Sequence, residues 1–262
     1  MNSWMLNLFF ALVGLLALTG MFFFVVTRGA LVMRGLSGSS GDKSHVYPIY
    51  SNMGLIKLVD FQPIISAILL FQYHHLVSKI VAELGQMNLQ RKKVLITSCA
   101  FGNVIPRVVK AAFESGAERV LIADIIQNEL LHARGKLREY AGKVEYVEDN
   151  ATSMKLNDSA IAANVIFFLL HELPHELKGQ ALDEAGRMLA PGGKLFLAEF
   201  HRPQLWVLRD LSWTYFKVFE PLGLALWDTH DPLVYLEKSG GWKCERTTYF
   251  FGNFQTIVAT KL

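Results

Sequence analysis

The stretch VLITSCAFGNVIPRVVKAAFESGAERVLIADI, residues 94–125, decides the fold of this chain. It begins with an apolar, β-branched run and passes through a turn that contains a single glycine, Gly102. An amphipathic segment then leads to Gly116, and a second apolar run ends at Asp124. This order predicts a strand, a helix and a second strand, the unit from which parallel sheets are built.

The same alternation continues toward the carboxyl terminus. Apolar runs predict three more strands, and amphipathic segments predict two more helices: strands Lys143–Asp149, Ala163–Leu170 and Lys194–Phe200, and helices Gln127–Gly142 and His175–Gly193. The segments RTTYFF and FQTIVATKL flank Gly252-Asn253, which is typical of an antiparallel hairpin. The expected fold class is α/β, with a mostly parallel seven-stranded sheet that a C-terminal antiparallel hairpin completes.

The amino terminus differs from the rest of the chain. Met5–Val26 contains no charged residue, and as a helix it would be roughly 33 Å long, close to the thickness of the hydrocarbon core of a bilayer. A secretory signal peptide is the competing interpretation, but it requires a basic leading region and a small-residue cleavage site, and neither is clear here. We therefore expect a retained single-pass transmembrane helix.

Three parts of the chain follow from this anchor. Residues 1–34 form the anchor, residues 35–49 a Gly/Ser-rich flexible linker, and residues 50–262 the catalytic domain. Arg28, Arg34 and Lys43 follow the apolar span, so the catalytic domain is expected on the cytoplasmic side of a bacterial inner membrane, or in the mitochondrial inner membrane of a eukaryote. The net charge of +3 comes from dispersed residues, which favours contact with a lipid bilayer and argues against nucleic acid.

Two further apolar segments are candidates for contact with lipid or a lipid-like substrate. Asp60–Gly85 is predicted to be one helix, with Pro63 near its start, that either joins the core or lies on the membrane. Leu211–Trp227 is rich in aromatic residues and forms either an apolar surface or a lid helix packed on the sheet.

Ligands of open parallel sheets bind at the carboxyl ends of the strands. The turn after the first strand has one glycine, where nucleotide-binding turns usually have several, so it is either a cofactor turn or an ordinary one. Asp124, 22 residues beyond Gly102, is expected to bind both hydroxyls of a ribose, or to cap the following helix. Asp149 or Asn150 could bind an adenine amino group or cap a turn.

Candidate catalytic residues end the fourth and fifth strands. His171 and Glu172 are suited to proton transfer, or form a structural pair, and His201 is expected to face the same site. HELPH, residues 171–175, is also spelled like the H-E-x-x-H sequence of zinc proteases, whose histidines lie on one continuous helix. Here the sequence follows a strand and Pro174 disfavours helix at Leu173, so the protease interpretation is rejected.

Several segments together resemble a known family. ALDEAGRMLAPGGKLFLAEF, VLITSCAFG and VLIADI are similar to segments of class I S-adenosylmethionine (SAM) methyltransferases. SCAFGNVIPRV, FFLLHELP, FHRP, EPLGLALW and TYFFGNFQTIVATK resemble more narrowly the rhodoquinone-biosynthesis branch of that superfamily, and the likeness covers roughly residues 50–262.

This resemblance implies a Rossmann-like SAM-methyltransferase fold and an unusual reaction. The branch replaces a ring methoxy group of ubiquinone by an amino group, with SAM as amino donor and with Mn²⁺ assisting. It implies a cofactor site formed by the residues that end the first three strands: Cys99, Ala100, Phe101, Gly102, Asp124, Ile125, Asp149 and Asn150. His171, Glu172 and His201 would lie beside the quinone ring.

Two alternatives stay open at this point. The first is a conventional SAM-dependent methyltransferase that acts on a quinone or lipid precursor. The second is a non-catalytic protein of the same fold that acts as a scaffold in a quinone-synthesis complex, because the first turn has lost most of its glycines.

Overall fold

The computed structural model describes residues 3–24, 50, 52–99 and 101–262. The linker, the basic residues that follow the apolar span and Ala100 lie outside the described residues, so the expectations about them stay expectations. The strands are β1 (Lys93–Thr97), β2 (Arg119–Asp124), β3 (Val144–Glu148), β4 (Ile161–Phe167), β5 (Leu189–Phe200), β6 (Trp242–Tyr249) and β7 (Phe254–Lys261). The helices are α1 (Ser3–Phe24), α2 (Met53–Val59), α3 (Gln62–Ile68), α4 (Tyr73–Gly85), α5 (Val104–Glu114), α6 (Gln127–Lys136), α7 (His175–Met188), α8 (Trp206–Phe219) and α9 (Pro232–Ser239).

The strands form one sheet in the order β3-β2-β1-β4-β5-β7-β6. Strands β1 to β5 are parallel to one another, and β7 pairs antiparallel with both β5 and β6. The predicted seven-stranded sheet with a C-terminal antiparallel hairpin is therefore confirmed. The strand order reverses between β1 and β4, and this is the place where open α/β sheets bind ligands.

Helices cover both faces of the sheet because its strands are apolar on both sides. On one face, Val94 and Ile96 of β1 join a buried cluster with α4 and α5. On the other face, Leu95 joins a second cluster that includes Ala181 and Leu182 of α7. Successive residues of a strand point to opposite faces, so β1 contributes to both halves of the core.

The segment predicted as one helix, Asp60–Gly85, is two helices, and that prediction is wrong. Helices α3 and α4 meet at an angle of 100°, and Leu70 and Phe71 between them have positive φ. The bend allows Leu69 and Tyr73 to be buried together against the sheet. The Tyr73 hydroxyl then donates to the Phe101 carbonyl and accepts from the Val104 N–H, and these contacts position the start of α4. Contacts between distant residues thus override the local apolar pattern.

Some element boundaries also differ from the predicted ones. Strand β4 ends at Phe167, before His171, and Phe168 takes a positive φ that turns the chain out of the extended conformation. Helix α7 ends at Met188, and the Pro191-Gly192-Gly193 segment belongs to β5. Helix α6 ends at Lys136, and a separate 3-10 turn follows. Because β4 ends early, His171 and Glu172 lie in a separate 3-10 turn, Leu170–Glu172.

Helix α1 stands apart from the sheet. Within the described residues, α1 is the only unbroken helix that is long and apolar enough to cross a membrane. Its Trp4–Met21 segment has a mean hydropathy of 1.9 and no residue buried in the protein. Length and composition agree with the predicted anchor.

Candidate active site

The turn after β1 is enclosed by the helices that precede the sheet. Gly102 has a φ of +79°, and a Cβ atom there would lie 2.5 Å from the Tyr73 hydroxyl oxygen. The Gly102 N–H donates to Asp60 Oδ1 at 2.7 Å, and the Gly102 carbonyl accepts from Lys136 Nζ at 2.7 Å. Gly102 combines positive φ with this close approach, and a residue with a Cβ atom could not satisfy both.

Asp124 ends β2 beside this turn and is 8% exposed. Its Oδ2 accepts from the Cys99 N–H at 2.6 Å and its Oδ1 accepts from the Ile126 N–H at 2.8 Å. Burial raises the pKa of Asp124, although these two N–H groups oppose the shift. Each carboxylate oxygen has a second lone pair, so the side chain can still accept from ligand hydroxyls.

A cavity of about 250 Å³ opens at the carboxyl ends of β1 to β4. Its walls include Asp124, Ile125, Asp149 and Asn150, so four predicted cofactor residues come together. Asp149 and Asn150 also perform the turn-capping role: Asp149 accepts from the Asn150 and Lys155 N–H groups, and Asn150 accepts from Thr152.

A second, smaller cavity of about 60 Å³ adjoins the first. The two share five wall residues: Ser98, Asp124, Ile125, Leu169 and Leu173. Four polar residues line the smaller cavity but not the larger one: Tyr50, Cys99, Glu129 and Glu172. Phe101 lies at its edge, where its ring stacks on that of Tyr50 with centroids 6.1 Å apart. The predicted cofactor turn and the predicted catalytic turn therefore meet here.

Glu172 lies in a 3-10 turn, Leu170–Glu172, and reaches this smaller cavity. The Tyr50 hydroxyl donates to Glu172 Oε1. Burial raises the pKa of Glu172 to about 7, although His171 and the Tyr50 hydrogen bond oppose the shift. A carboxyl group that titrates near neutral pH can both accept and return a proton.

His171 lies behind Glu172, with its Nε2 atom 3.9 Å from Glu172 Oε1, and lines neither cavity. Its Nδ1 atom is 3.0 Å from Oε1 of Glu199, a wholly buried residue of β5. Burial by itself would lower the pKa of His171, but the charge and hydrogen bond of Glu199 raise it to about 9. The imidazole therefore carries a positive charge next to Glu172 at neutral pH.

A buried lysine of α7 stabilises the turn that carries His171 and Glu172. Lys178 of α7 donates to the carbonyls of Leu170 and Leu173, which flank the His171-Glu172 pair. Burial lowers the pKa of Lys178 to about 8. Since both carbonyls are satisfied by one side chain, the turn is held in place from α7.

His201 does not join these residues. Its Nδ1 atom is 2.7 Å from the Gly252 carbonyl oxygen, and its Nε2 atom is 3.3 Å from Arg246 Nη1. Burial lowers the pKa of His201, and the charge of Arg246 adds to this. His201 lines neither cavity and attaches the end of β5 to the β6–β7 hairpin.

The HELPH sequence is divided between two elements. His171 belongs to the 3-10 turn, Pro174 precedes α7, and His175 begins that helix and stacks on His230. Among the described residues, no three His, Cys, Asp or Glu side chains converge closely enough to hold a metal ion. The described residues therefore contain no ligand set for the Mn²⁺ that the resemblance implies.

Four residues of this region were missed by sequence reasoning: Tyr50, Glu129, Lys178 and Glu199. A usable signal existed for Glu199, since a carboxylate inside the otherwise apolar run KLFLAEF requires a buried partner. Tyr50 precedes the first described body helix, and Glu129 and Lys178 lie on amphipathic helices, where charged residues are usually solvated.

Comparison with known proteins agrees with this geometry. The ubiE/COQ5 methyltransferase family matches residues 58–248. The ubiquinone/menaquinone biosynthesis C-methyltransferase UbiE of Shewanella pealeana is 32% identical over 150 residues, which cover 56% of this chain and 58% of that protein. The UbiE of Salmonella arizonae is 31% identical over 144 residues, 53% and 55% of the two chains. The chain thus spans somewhat more than half the length of these relatives.

Solved structures show the same fold. A SAM-dependent methyltransferase from Aquifex aeolicus superposes with a TM-score of 0.50 at 18% identity, covering 80% of this chain and 99% of that one. The magnesium protoporphyrin IX methyltransferase of Synechocystis PCC 6803, solved with bound SAM, gives a TM-score of 0.51 at 14% identity over 72% and 80%. The fold is the Rossmann-like SAM-methyltransferase fold. Because the family match covers well over half of the chain, this protein belongs to the ubiE/COQ5 methyltransferase family.

Proposed function

We propose that this protein is a membrane-anchored, SAM-using enzyme that replaces a ring methoxy group of ubiquinone by an amino group. Family membership supports a SAM-using transferase of quinone biosynthesis. The resemblance of residues 50–262 to the rhodoquinone branch supports the exchange of methoxy for amino. The observation that carries the proposal is Glu172, a carboxyl group with a pKa of about 7 that lines a cavity next to the expected cofactor cavity.

The described residues fit SAM. Asp124 would hold the ribose, and Ile125 and the Asp149–Asn150 turn would enclose the adenine. Gly102 lines neither cavity, and its missing side chain makes room for Tyr73 instead. SAM bound there would supply the group that is transferred. Residues of the smaller cavity would then face the reacting end of the cofactor.

Glu172 can carry the proton that the exchange requires. Replacement of methoxy by an amino nitrogen forms a ring C–N bond and breaks a ring C–O bond. One proton leaves the attacking nitrogen, and one joins the departing methoxide to give methanol. The bond from this nitrogen to the α-carbon of the donor amino acid would also break: that carbon would give its hydrogen and two electrons to the quinone ring and leave, with the oxygen of water, as a carbonyl compound. The amino group would then stay on the reduced ring. Glu172 would accept the first proton and return it in the second step, which suits a pKa of about 7. Glu172 is thus the proposed catalytic residue, and His171 and Glu199 are positioning residues behind it.

A second candidate is C-methylation of a quinone-precursor ring, since the relatives above are named C-methyltransferases. In that reaction Glu172 would take the proton of a ring hydroxyl, the methyl group would form a C–C bond with the neighbouring carbon, and that carbon would lose its hydrogen as a proton. Both reactions use the same site.

A bilayer substrate agrees with the apolar parts of the protein. Helix α1 supports a single-pass anchor, and the positive-inside rule supports a cytoplasmic catalytic domain. Five large apolar side chains of α8 are exposed: Trp206, Val207, Leu211, Trp213 and Val218. The second half of the predicted Leu211–Trp227 surface instead forms a 3-10 segment in which Leu226 and Trp227 are buried. An enzyme held at the membrane would meet a water-insoluble quinone at a high effective concentration.

Expression in a host that makes ubiquinone but no rhodoquinone, followed by mass spectrometry of extracted quinones, tests the proposal. A product lighter than ubiquinone, in which amino replaces methoxy, supports it. A product or precursor heavier by a methyl group would support the second candidate instead. The Asp124→Asn variant should give neither product, since both reactions need the ribose contact.

The scaffold alternative is tested separately by calorimetry with SAM. Failure of the full-length protein to bind SAM would contradict both enzyme proposals and favour the scaffold role.

A further inference from the structure

Glu129 is a buried carboxyl group that the proposed reaction does not use. It lies in the first turn of α6, is 3% exposed, and lines the smaller cavity. Its Oε1 atom has no hydrogen-bond partner within residues 50, 52–99 and 101–262. A buried polar atom without a partner costs free energy, so the position requires a compensating role.

The neighbours of Glu129 increase that cost. Burial and the charge of Asp124 raise the pKa of Glu129 to about 8, and Glu172 adds to the shift. Lys136, two turns further along α6, opposes this shift, but its Nζ atom already donates to Asp60 and to the Gly102 carbonyl, each at 2.7 Å. Of the carboxyl groups that line the smaller cavity, Glu172 has the His171 imidazole 3.9 Å away, whereas neither Glu129 nor Asp124 forms an ion pair with a described residue.

The wall residues that the two cavities share indicate which ligand group lies nearest Glu129. Asp124 lies in the wall that they share. A nucleoside whose ribose binds Asp124 and whose base occupies the larger cavity must direct its 5′ substituent into the smaller one. In SAM that substituent carries the sulfonium and an amino acid with a primary ammonium group. A charge-assisted hydrogen bond between an ammonium and a carboxylate is roughly twice as strong as one between neutral groups.

We propose that Glu129 binds the ammonium group at the amino-acid end of SAM and selects ligands that carry it. This inference rests on SAM as the cofactor of the proposed function. The ammonium group is the cationic hydrogen-bond donor of SAM, and it would bind the Glu129 Oε1 atom, which has no partner among the described residues. If the amino group is the one transferred, Glu129 also holds it next to Glu172.

Calorimetry on the full-length protein in detergent tests this inference with two probes. S-Adenosylhomocysteine carries the ammonium, and 5′-methylthioadenosine shares the adenosine and the thioether but lacks the amino acid. We expect Glu129→Gln to weaken S-adenosylhomocysteine binding about tenfold or more, because a charge-assisted hydrogen bond is lost. Binding of 5′-methylthioadenosine should change less than about twofold.

Proton release gives an independent readout. At pH 7 the bound ammonium should displace a proton from Glu129, so the binding enthalpy of S-adenosylhomocysteine should depend on the ionisation enthalpy of the buffer. Glu129→Gln should reduce the number of protons released, and a Glu172→Gln variant reports any share that Glu172 contributes. The exposed Glu118→Gln variant serves as a surface control. Should Glu129→Gln not fold, Glu129→Met is the second variant.

The outcomes separate the inference from the proposed function. Unchanged S-adenosylhomocysteine affinity in Glu129→Gln, or equal loss for both probes, would overturn the inference alone. Failure of the unchanged protein to bind either probe would overturn SAM as cofactor, and the inference with it.

Discussion

The Nδ1 atom of His171 lies 3.0 Å from Oε1 of Glu199, and both side chains are buried, His171 in the 3-10 turn that follows β4 and Glu199 near the end of β5. Glu199 also accepts from the His171 and Phe200 N–H groups, so its carboxylate is well satisfied. The pair presents a positive charge to Glu172 from inside the protein. Burial raises the pKa of Glu172 to about 7, and the imidazolium limits this rise, so Glu172 exchanges protons near neutral pH.

We expect Glu172→Gln to lower turnover by about 100-fold or more, because the amide cannot accept and return a proton. S-Adenosylhomocysteine affinity should change only a few-fold. Product formation is measured by mass spectrometry of quinones. The exposed Glu176→Gln variant, four residues further on, is the matched control and should keep full turnover. Equal turnover of the Glu172→Gln variant and the unchanged protein would contradict this assignment.

The pH profile of kcat/KM should rise through about pH 7, since Glu172 must lose its proton to act as a base. Replacement of Glu199 by Gln removes the charge that keeps His171 protonated. Without the imidazolium nearby, Glu172 holds its proton more tightly, so the rise should move to higher pH. A rise that stays at the same pH in Glu199→Gln would show that the pair does not act on Glu172.

Lys178→Met should lower the free energy of unfolding by about 1–3 kcal/mol, because the Leu170 and Leu173 carbonyls lose their donor in a buried place. Turnover should fall as well, since the turn carries Glu172. Thermal unfolding is the measurement, and the exposed Lys243→Met variant on β6 is the control. An unchanged melting temperature would mean that the turn is held by other contacts.

The stability of the ligand-free protein should fall as pH rises from about 4.5 to about 8. The pKa of Glu129 is raised from 4.5 to about 8 in the folded state, so folding favours the protonated form of this carboxyl group. The stability that Glu129 contributes is therefore fully present below pH 4.5 and is lost as the pH rises through about 8. Glu129→Gln should flatten the dependence and be the more stable protein at pH 8. The measurement is the melting temperature of both proteins at pH 5 and pH 8. If the melting temperature changed equally with pH in Glu129→Gln and in the unchanged protein, the burial of an unpaired carboxyl group would be contradicted.

Paired Leu12→Arg and Leu16→Arg substitutions in α1 should move the protein from the membrane fraction to the soluble or aggregated fraction. Each charge at the centre of a bilayer helix costs about 2.5–3.5 kcal/mol on insertion scales. Alkaline extraction of membranes is the measurement. Gly14→Ala on the same helix, where a Cβ meets nothing within 4 Å, should leave the protein in the membrane.

The sequence by itself determined the alternation of strands and helices, the C-terminal hairpin, the acidic end of β2 and the division of HELPH between two elements. These are local features, since an apolar run of the right length and the conformational limits of Pro174 act within a few residues of the chain. The carboxyl edge of the sheet then followed, because parallel strands bring their ends to one side.

Only the tertiary structure decided which polar side chains meet there. Tyr50, Asp124, Glu129 and Glu172 come from separate elements, and Glu199 reaches His171 across two strands. The bend between α3 and α4 and the turn of His201 toward Gly252 likewise depend on partners far away in the chain. Periodicity reports which residues a helix or strand buries, whereas the pairing of buried charges depends on distances that exist only after the elements have packed.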